Sequence, residues 1–181
     1  VVPYGDLDVA TVLRGDFGGT LENAHRLAVE AAADLGLDAD PVLAPISGLL
    51  PEATLDHADP ETPLLLSERA VETDATRVQL RQGSDAVLTD EVARVGGPAP
   101  DPPFGALALR QRILAEAAVH GLEHGPDRPL VVSLPEQWDP GPDWRSATFF
   151  SGLNTPWLRL VPLSTAKAMS EVEEYDDPLA Y

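Results

Sequence analysis

The stretch FGALALRQRILAEAAVHGLEHGPDRPLVVSLP, residues 104–135, carries the pattern on which the fold class turns: a helical repeat that stops and gives way at once to a strand-like run. Leu107, Leu109, Ile113, Leu114, Ala117, Ala118 and Leu122 recur at the three- and four-residue spacing that gathers them on one wide helix face. Gly125-Pro126 marks the end, since glycine tolerates the backbone of a helix terminus and proline cannot continue a helix. RPLVVSLP, residues 128–135, is a short continuous apolar run with β-branched residues, the composition of a strand covered on both faces. The stretch therefore predicts a helix from about Phe104 to about His124 and a buried strand after it.

Outward from this pair the alternation repeats. GGTLENAHRLAVEAAADLGLD, residues 18–38, places Leu21, Ala24, Ala28, Ala31, Ala32 and Leu35 at helical spacing, with Thr20 as the expected cap and Gly36 as the stop. PVLAPISG (41–48) is a short apolar run, and PEATLDHA (51–58) has room for one or two helical turns. TPLLLSE (62–68) reads as a buried strand, and TRVQLRQG (76–83) and DAVLTDE (85–91) read as strands or a hairpin around Gly83-Ser84. GGPAPDPPFG (96–105) is a Pro/Gly-rich internal loop. Beyond the opening stretch, DWRSATFFSGLNT (143–155) predicts a helix and WLRLVPL (157–163) another short strand. Strands alternating with helices predict a single α/β domain over residues 1–181, with a largely parallel sheet whose functional groups gather at the strands' carboxyl ends.

Composition narrows the function classes. Thirty acidic against 12 basic residues give a formal charge of −18, a field that repels phosphate backbones and anionic lipid, so nucleic acid is excluded as an expected partner. With no cysteine there is neither a disulfide nor a thiolate metal site. No apolar run approaches the roughly 20 residues of a membrane span, so no membrane insertion by this segment is expected. The sequence opens on Val1-Val2-Pro3 and is read as an excised ectodomain or middle domain of a longer protein.

Inside the opening stretch, His120-Gly121-Leu122-Glu123-His124 has the H-x-x-E-H order of one class of zinc proteases. Two imidazoles four residues apart share a helix face and can hold one metal ion, with Glu171, Glu173 and Glu174 as third-ligand candidates. The motif, however, sits on a helix end, where histidine is favoured by the carbonyl-rich terminus itself, so no cofactor and no tightly bound zinc are expected. Polar groups that follow the predicted strands form a second set: Asp6 and Asp8 after VVPYG, Ser47 after VLAPI, Glu68 after LLLS, and Glu136 and Asp139 after LVVSLP. Paired carboxylates of this kind perform acid/base or nucleophilic work on a glycosidic bond where they converge across a cleft. Tyr4 and Trp138 are the expected ligand-binding aromatics, and Trp144 and Trp157 offer further flat faces for sugar rings, although buried core positions suit at least two of the three tryptophans.

Taken together, VVPYGDLD (1–8), RPLVVSLPEQWDP (128–140) and PWLRLVPL (156–163) resemble a family of actinobacterial envelope proteins of unknown function, usually encoded beside the lipid II flippase. The resemblance implies an extracytoplasmic protein of the cell envelope, with a partial or degenerate (β/α) barrel similar to those of glycoside hydrolases and polysaccharide deacetylases. It implies a cell-wall glycan or an envelope protein as partner, and brings no catalytic set with it. The expected activity is binding with little or no catalysis. A carbohydrate hydrolase or deacetylase using the strand-end carboxylates and a purely structural interaction module are the alternatives.

Overall fold

In the computed structural model, residues 1–5, 7–15, 17–91, 105–134 and 148–180 are described. Asp6, Glu136, Trp138, Asp139 and Trp144 lie outside them, as does the expected loop over 96–105 apart from Gly105. The chain groups into two compact units, Val1–Thr89 with Glu171–Tyr181, and Asp90–Ser170.

The first unit is a mixed α/β arrangement built on four strands: β1 (Leu64–Ser67), β2 (Arg77–Leu80), β3 (Asp85–Thr89) and β4 (Glu173–Tyr175). Their order in the sheet is β1-β3-β2-β4. β1 runs parallel to β3, β3 antiparallel to β2, and β2 parallel to β4. The sheet is open, bounded by β1 and β4 among the described residues, so it is not a closed barrel. The hairpin expected around Gly83-Ser84 forms. Gly83, at φ +83°, donates to the Leu80 carbonyl at 2.7 Å, and Leu80 donates to Ser84 O at 2.9 Å, the arrangement of a tight loop closed by a left-handed glycine. Arg77 and Asp85 brace the hairpin with paired contacts of 2.8 and 3.1 Å.

Helix α1 (Val9–Arg14) was not expected from the sequence, because six residues are too few for a periodic signal. α2 (Gly18–Asp34) was expected, but it starts two residues before Thr20, with Phe17 in the capping position and no side-chain cap. It ends as expected: Gly36 (φ +73°) donates to Ala33 O at 2.8 Å and Leu37 to Ala32 O at 2.9 Å, the paired bonds of a Schellman stop. Leu21, Ala24, Ala28 and Ala32 are buried, whereas Leu35 is 77% exposed. Val9, Val12 and Leu13 of α1 join Leu43, Leu64, Leu66, Val78 and Leu88 in one core. PEATLDHA closes into a 3-10 turn (Glu52–His57) that packs on α1. The apolar runs at 1–4 and 42–43 are not ladder strands. Val42 N donates to Val1 O at 2.9 Å, and Leu43 makes one isolated parallel bridge with Leu64, donating to Pro63 O at 2.9 Å and accepting from Leu65 N at 2.8 Å.

The second unit is organised by α3 (Gly105–His124), close to the bounds read from its periodicity. Its buried residues Ala106, Leu109 and Ile113 meet Phe149 and Leu153, which belong to α4 (Thr148–Ser151) and its exit turn. The core face is narrower than the sequence stripe: Leu107 in the first turn is 45% exposed and Leu122 in the last turn is 88% exposed. RPLVVSLP does not form the expected buried strand. Only an isolated parallel bridge, Asp90 with Val132, is made, and Val131 and Val132 are half-buried. Pro129 lacks a donor at the start of this run, which weakens any longer ladder. WLRLVPL is likewise a turn and an extended segment, after which Leu163 opens α5 (Leu163–Met169).

Candidate functional site

Sequence proximity and strand polarity bring two of the predicted polar groups to one end of β1. Ser67 ends that strand, and its N–H donates to Gly48 O at 2.7 Å, holding the Ser47-Gly48 turn against it. Glu68 follows immediately and is exposed, opening a short 3-10 turn (Glu68–Ala70) whose entry is capped by Ser67 Oγ accepting from Arg69 N at 3.2 Å. β3, parallel to β1, ends beside it, where Thr89 Oγ1 donates to Leu66 O at 3.1 Å. Ser47 is engaged locally, with Leu49 N–H donating to its hydroxyl at 3.2 Å.

Asp8 takes a structural role. Its two carboxylate oxygens accept from Thr11 N at 3.1 Å and Thr11 Oγ1 at 2.7 Å, capping α1. The Thr11 hydroxyl, and then the Thr11 amide, hold its pKa below the ordinary carboxylate range, so Asp8 is an anion and not a proton donor near neutrality. Tyr4 is 60% exposed and is fixed by its amide, which donates to Ala24 O of α2 at 3.1 Å.

His120 and His124 occupy the C-terminal end of α3, with ring centroids 4.7 Å apart. His124 Nδ1 lies 3.0 Å from Arg128 Nη1. A guanidinium only donates, so this nitrogen's lone pair is committed to Arg128. His120 Nε2 is buried, with no hydrogen-bond partner among the described residues. Burial, then the His124 and Arg128 charges, push its pKa down, while Glu116, one turn earlier, has its own pKa raised by burial, then by Asp90 and Glu123. Glu173 sits on β4, its carboxylate accepting from Thr73 Oγ1 at 2.8 Å. Among the described residues no three His, Asp or Glu side chains are arranged to hold a metal ion.

The sequence named Trp157 as a flat face for sugar rings but missed the turn that carries it. Instead of starting a strand, this residue stands on a turn: Thr155 N donates to Leu158 O at 3.1 Å, and Leu158 N donates to Thr155 O at 3.4 Å and to Thr155 Oγ1 at 3.1 Å. Pro156 fixes the first central position, the preferred place for proline in such turns. The base is anchored by Leu153, 3% exposed, which follows α4 and packs in the cluster with Phe149. Trp157 itself is 56% exposed. The Asn-Thr-Pro sequence ahead of it is a legible turn signal, outweighed in the sequence reading by the apolar run that follows.

No helix among the described residues is long and apolar enough to cross a membrane. Compared with protein-family models, with curated proteins and with solved structures, the chain matches none of them.

Proposed function

We propose that this chain is an extracytoplasmic binding domain of the cell envelope that recognises a wall glycan with little or no catalysis, in keeping with the family it resembles. In this reading its open mixed sheet is a degenerate derivative of a (β/α) barrel. The observation that carries the proposal is the Trp157 turn. The turn and its Leu153 anchor hold the exposed indole in place before any ligand arrives, so little ordering is left to offset the gain from stacking. Flat indole faces suit the apolar faces of sugar rings. Covering on the order of 100 Å² of such a ring contributes about 2–3 kcal/mol. The strand-end polar groups favour catalysis less, since the Asp8 carboxylate is spent on a helix cap and the Ser47 hydroxyl on its own turn.

The test is calorimetric titration of soluble peptidoglycan fragments and other wall glycans into wild type and Trp157→Ala. Binding by wild type and a loss of at least about tenfold in the variant are expected. Absence of binding to every glycan refutes the proposal, and equal binding by the variant removes Trp157 from it.

A second reading, an interaction module, is favoured by the outer face of α3, where Leu107, Val119 and Leu122 are 45%, 45% and 88% exposed. Glycan binding that survives Leu122→Ser separates this face from the sugar site.

A further inference from the structure

We propose that the ligand stacked on Trp157 is an anionic sugar, a ring bearing a carboxylate or a phosphate, and that Arg159 reads its charge. This rests on the glycan reading above and adds the ligand's chemical class.

Two observations converge on it. The first is placement. Trp157 and Arg159 are both exposed, while Leu158 between them is half-buried and pinned by its bonds to Thr155. A guanidinium is thus offered next to a fixed indole by the same short, anchored segment. The second is the state of the cations in a strongly acidic chain. With 30 carboxylates and only 12 basic side chains, cations have acceptors on every side. Arg26 pairs with Glu30 at 2.6 Å, Arg77 with Asp85 at 2.8 Å and Arg81 with Glu52 at 3.5 Å, and Arg128 donates to His124 at 3.0 Å. Arg14 lies in the last turn of α1, where the helix terminus favours a cation. Arg159 has no ion pair or hydrogen bond among the described residues and no helix terminus to serve.

Solubility does not require it, because a net charge of −18 already keeps molecules apart. The same net charge repels an anionic ligand at long range, so an anion site here needs a local, unspent cation. The planar guanidinium fork matches carboxylate or phosphate oxygens in pairs, and the neighbouring ring holds the sugar to which the anion is attached.

The experiment titrates three probes of equal ring number into the full chain: a neutral N-acetylglucosamine oligosaccharide, a glucuronate-containing oligosaccharide and a phosphorylated oligosaccharide. Wild type, Trp157→Ala, Arg159→Gln and Arg159→Lys are compared at low ionic strength. The expected result is tighter binding of at least one anionic probe than of the neutral one, by about tenfold. Arg159→Gln should abolish that preference while leaving neutral binding unchanged, and Arg159→Lys should keep part of it. Whichever anionic probe is preferred identifies the carboxylate or the phosphate as the group read. Raising the salt concentration should erode the preference, because the site is exposed. Equal binding of neutral and anionic probes, or a preference that survives Arg159→Gln, overturns the proposal and leaves glycan binding standing. If none of the probes binds, both fall together.

Discussion

Gly48→Ala should be among the most damaging single-methyl additions in the first unit. Gly48 has φ +72°, and a Cβ built there would lie 2.9 Å from Ser67 Cβ and 3.1 Å from Ser67 N. Ser67 is fully buried and is tied to Gly48 by its own N–H, so it has no room to retreat without breaking the 2.7 Å bond that holds the turn to β1. The left-handed backbone costs an alanine about 1–2 kcal/mol. Forcing an atom into a packed strand end adds about 1–3 kcal/mol. The sum, about 3 kcal/mol, corresponds to a fall in Tm of about 6–12 °C for a chain of this length. Gly36 and Gly83 have φ +73° and +83° with nothing within 4 Å of an added Cβ, so Gly36→Ala and Gly83→Ala carry the backbone cost alone. Urea unfolding followed by far-ultraviolet circular dichroism, compared at constant m, measures all three. If Gly48→Ala is no more destabilising than the other two, the Ser67 contact is not what constrains this turn.

In α3, Ile113→Asp places a carboxylate among Leu109, Phe149 and Leu153 and should cost about 4 kcal/mol, whereas Leu122→Asp, at a position 88% exposed, should change stability by less than about 0.5 kcal/mol. Equal thermal stabilities for the two variants would contradict the orientation of the helix. Acid should weaken the fold through His120: its pKa is depressed in the folded state by burial, then by His124 and Arg128, so below about 6.5 the unfolded chain takes up a proton that the folded chain resists. The stability His120 contributes is therefore complete above that pH and is lost as pH falls towards its folded value. Glu116 acts in the opposite sense, since its raised pKa gives stability that is present below its ordinary value and lost as pH rises through the folded one. Urea unfolding across pH 4–8 should show a smaller acid loss in His120→Gln than in wild type and a larger one in Glu116→Gln. Parallel profiles for wild type and His120→Gln would rule out the histidine as a source.

The two long helices, the hairpin and β1 were legible without a structure because their signals are local and repeated. Twenty residues of α3 and 17 of α2 give the hydrophobic period several turns to declare itself, and Gly36 and Gly83 act through their own backbone angles. The charge balance and the absence of cysteine are likewise readable directly. The site was less legible. Asp8 and Ser47 read as strand-end polar groups, yet their side chains are taken by Thr11 and Leu49, partners that any turn-forming chain supplies nearby. Tertiary structure alone decided the rest. α1 has only six residues and persists by burying Val9, Val12 and Leu13 in a core built from distant strands. β4, a three-residue acidic segment with no strand-like pattern of its own, exists because β2, nearly a hundred residues earlier, offers it a ladder. VVSL and LRLV have strand-like composition but find no continuous ladder: the first makes one bridge to Asp90, and the second leaves Trp157 standing on its turn. Composition sets what a segment can pair with, but a strand forms only where a partner's free donors and acceptors are brought alongside it. That meeting is a property of the folded chain, since the entropy of closing the intervening loop is recovered only when the whole core assembles.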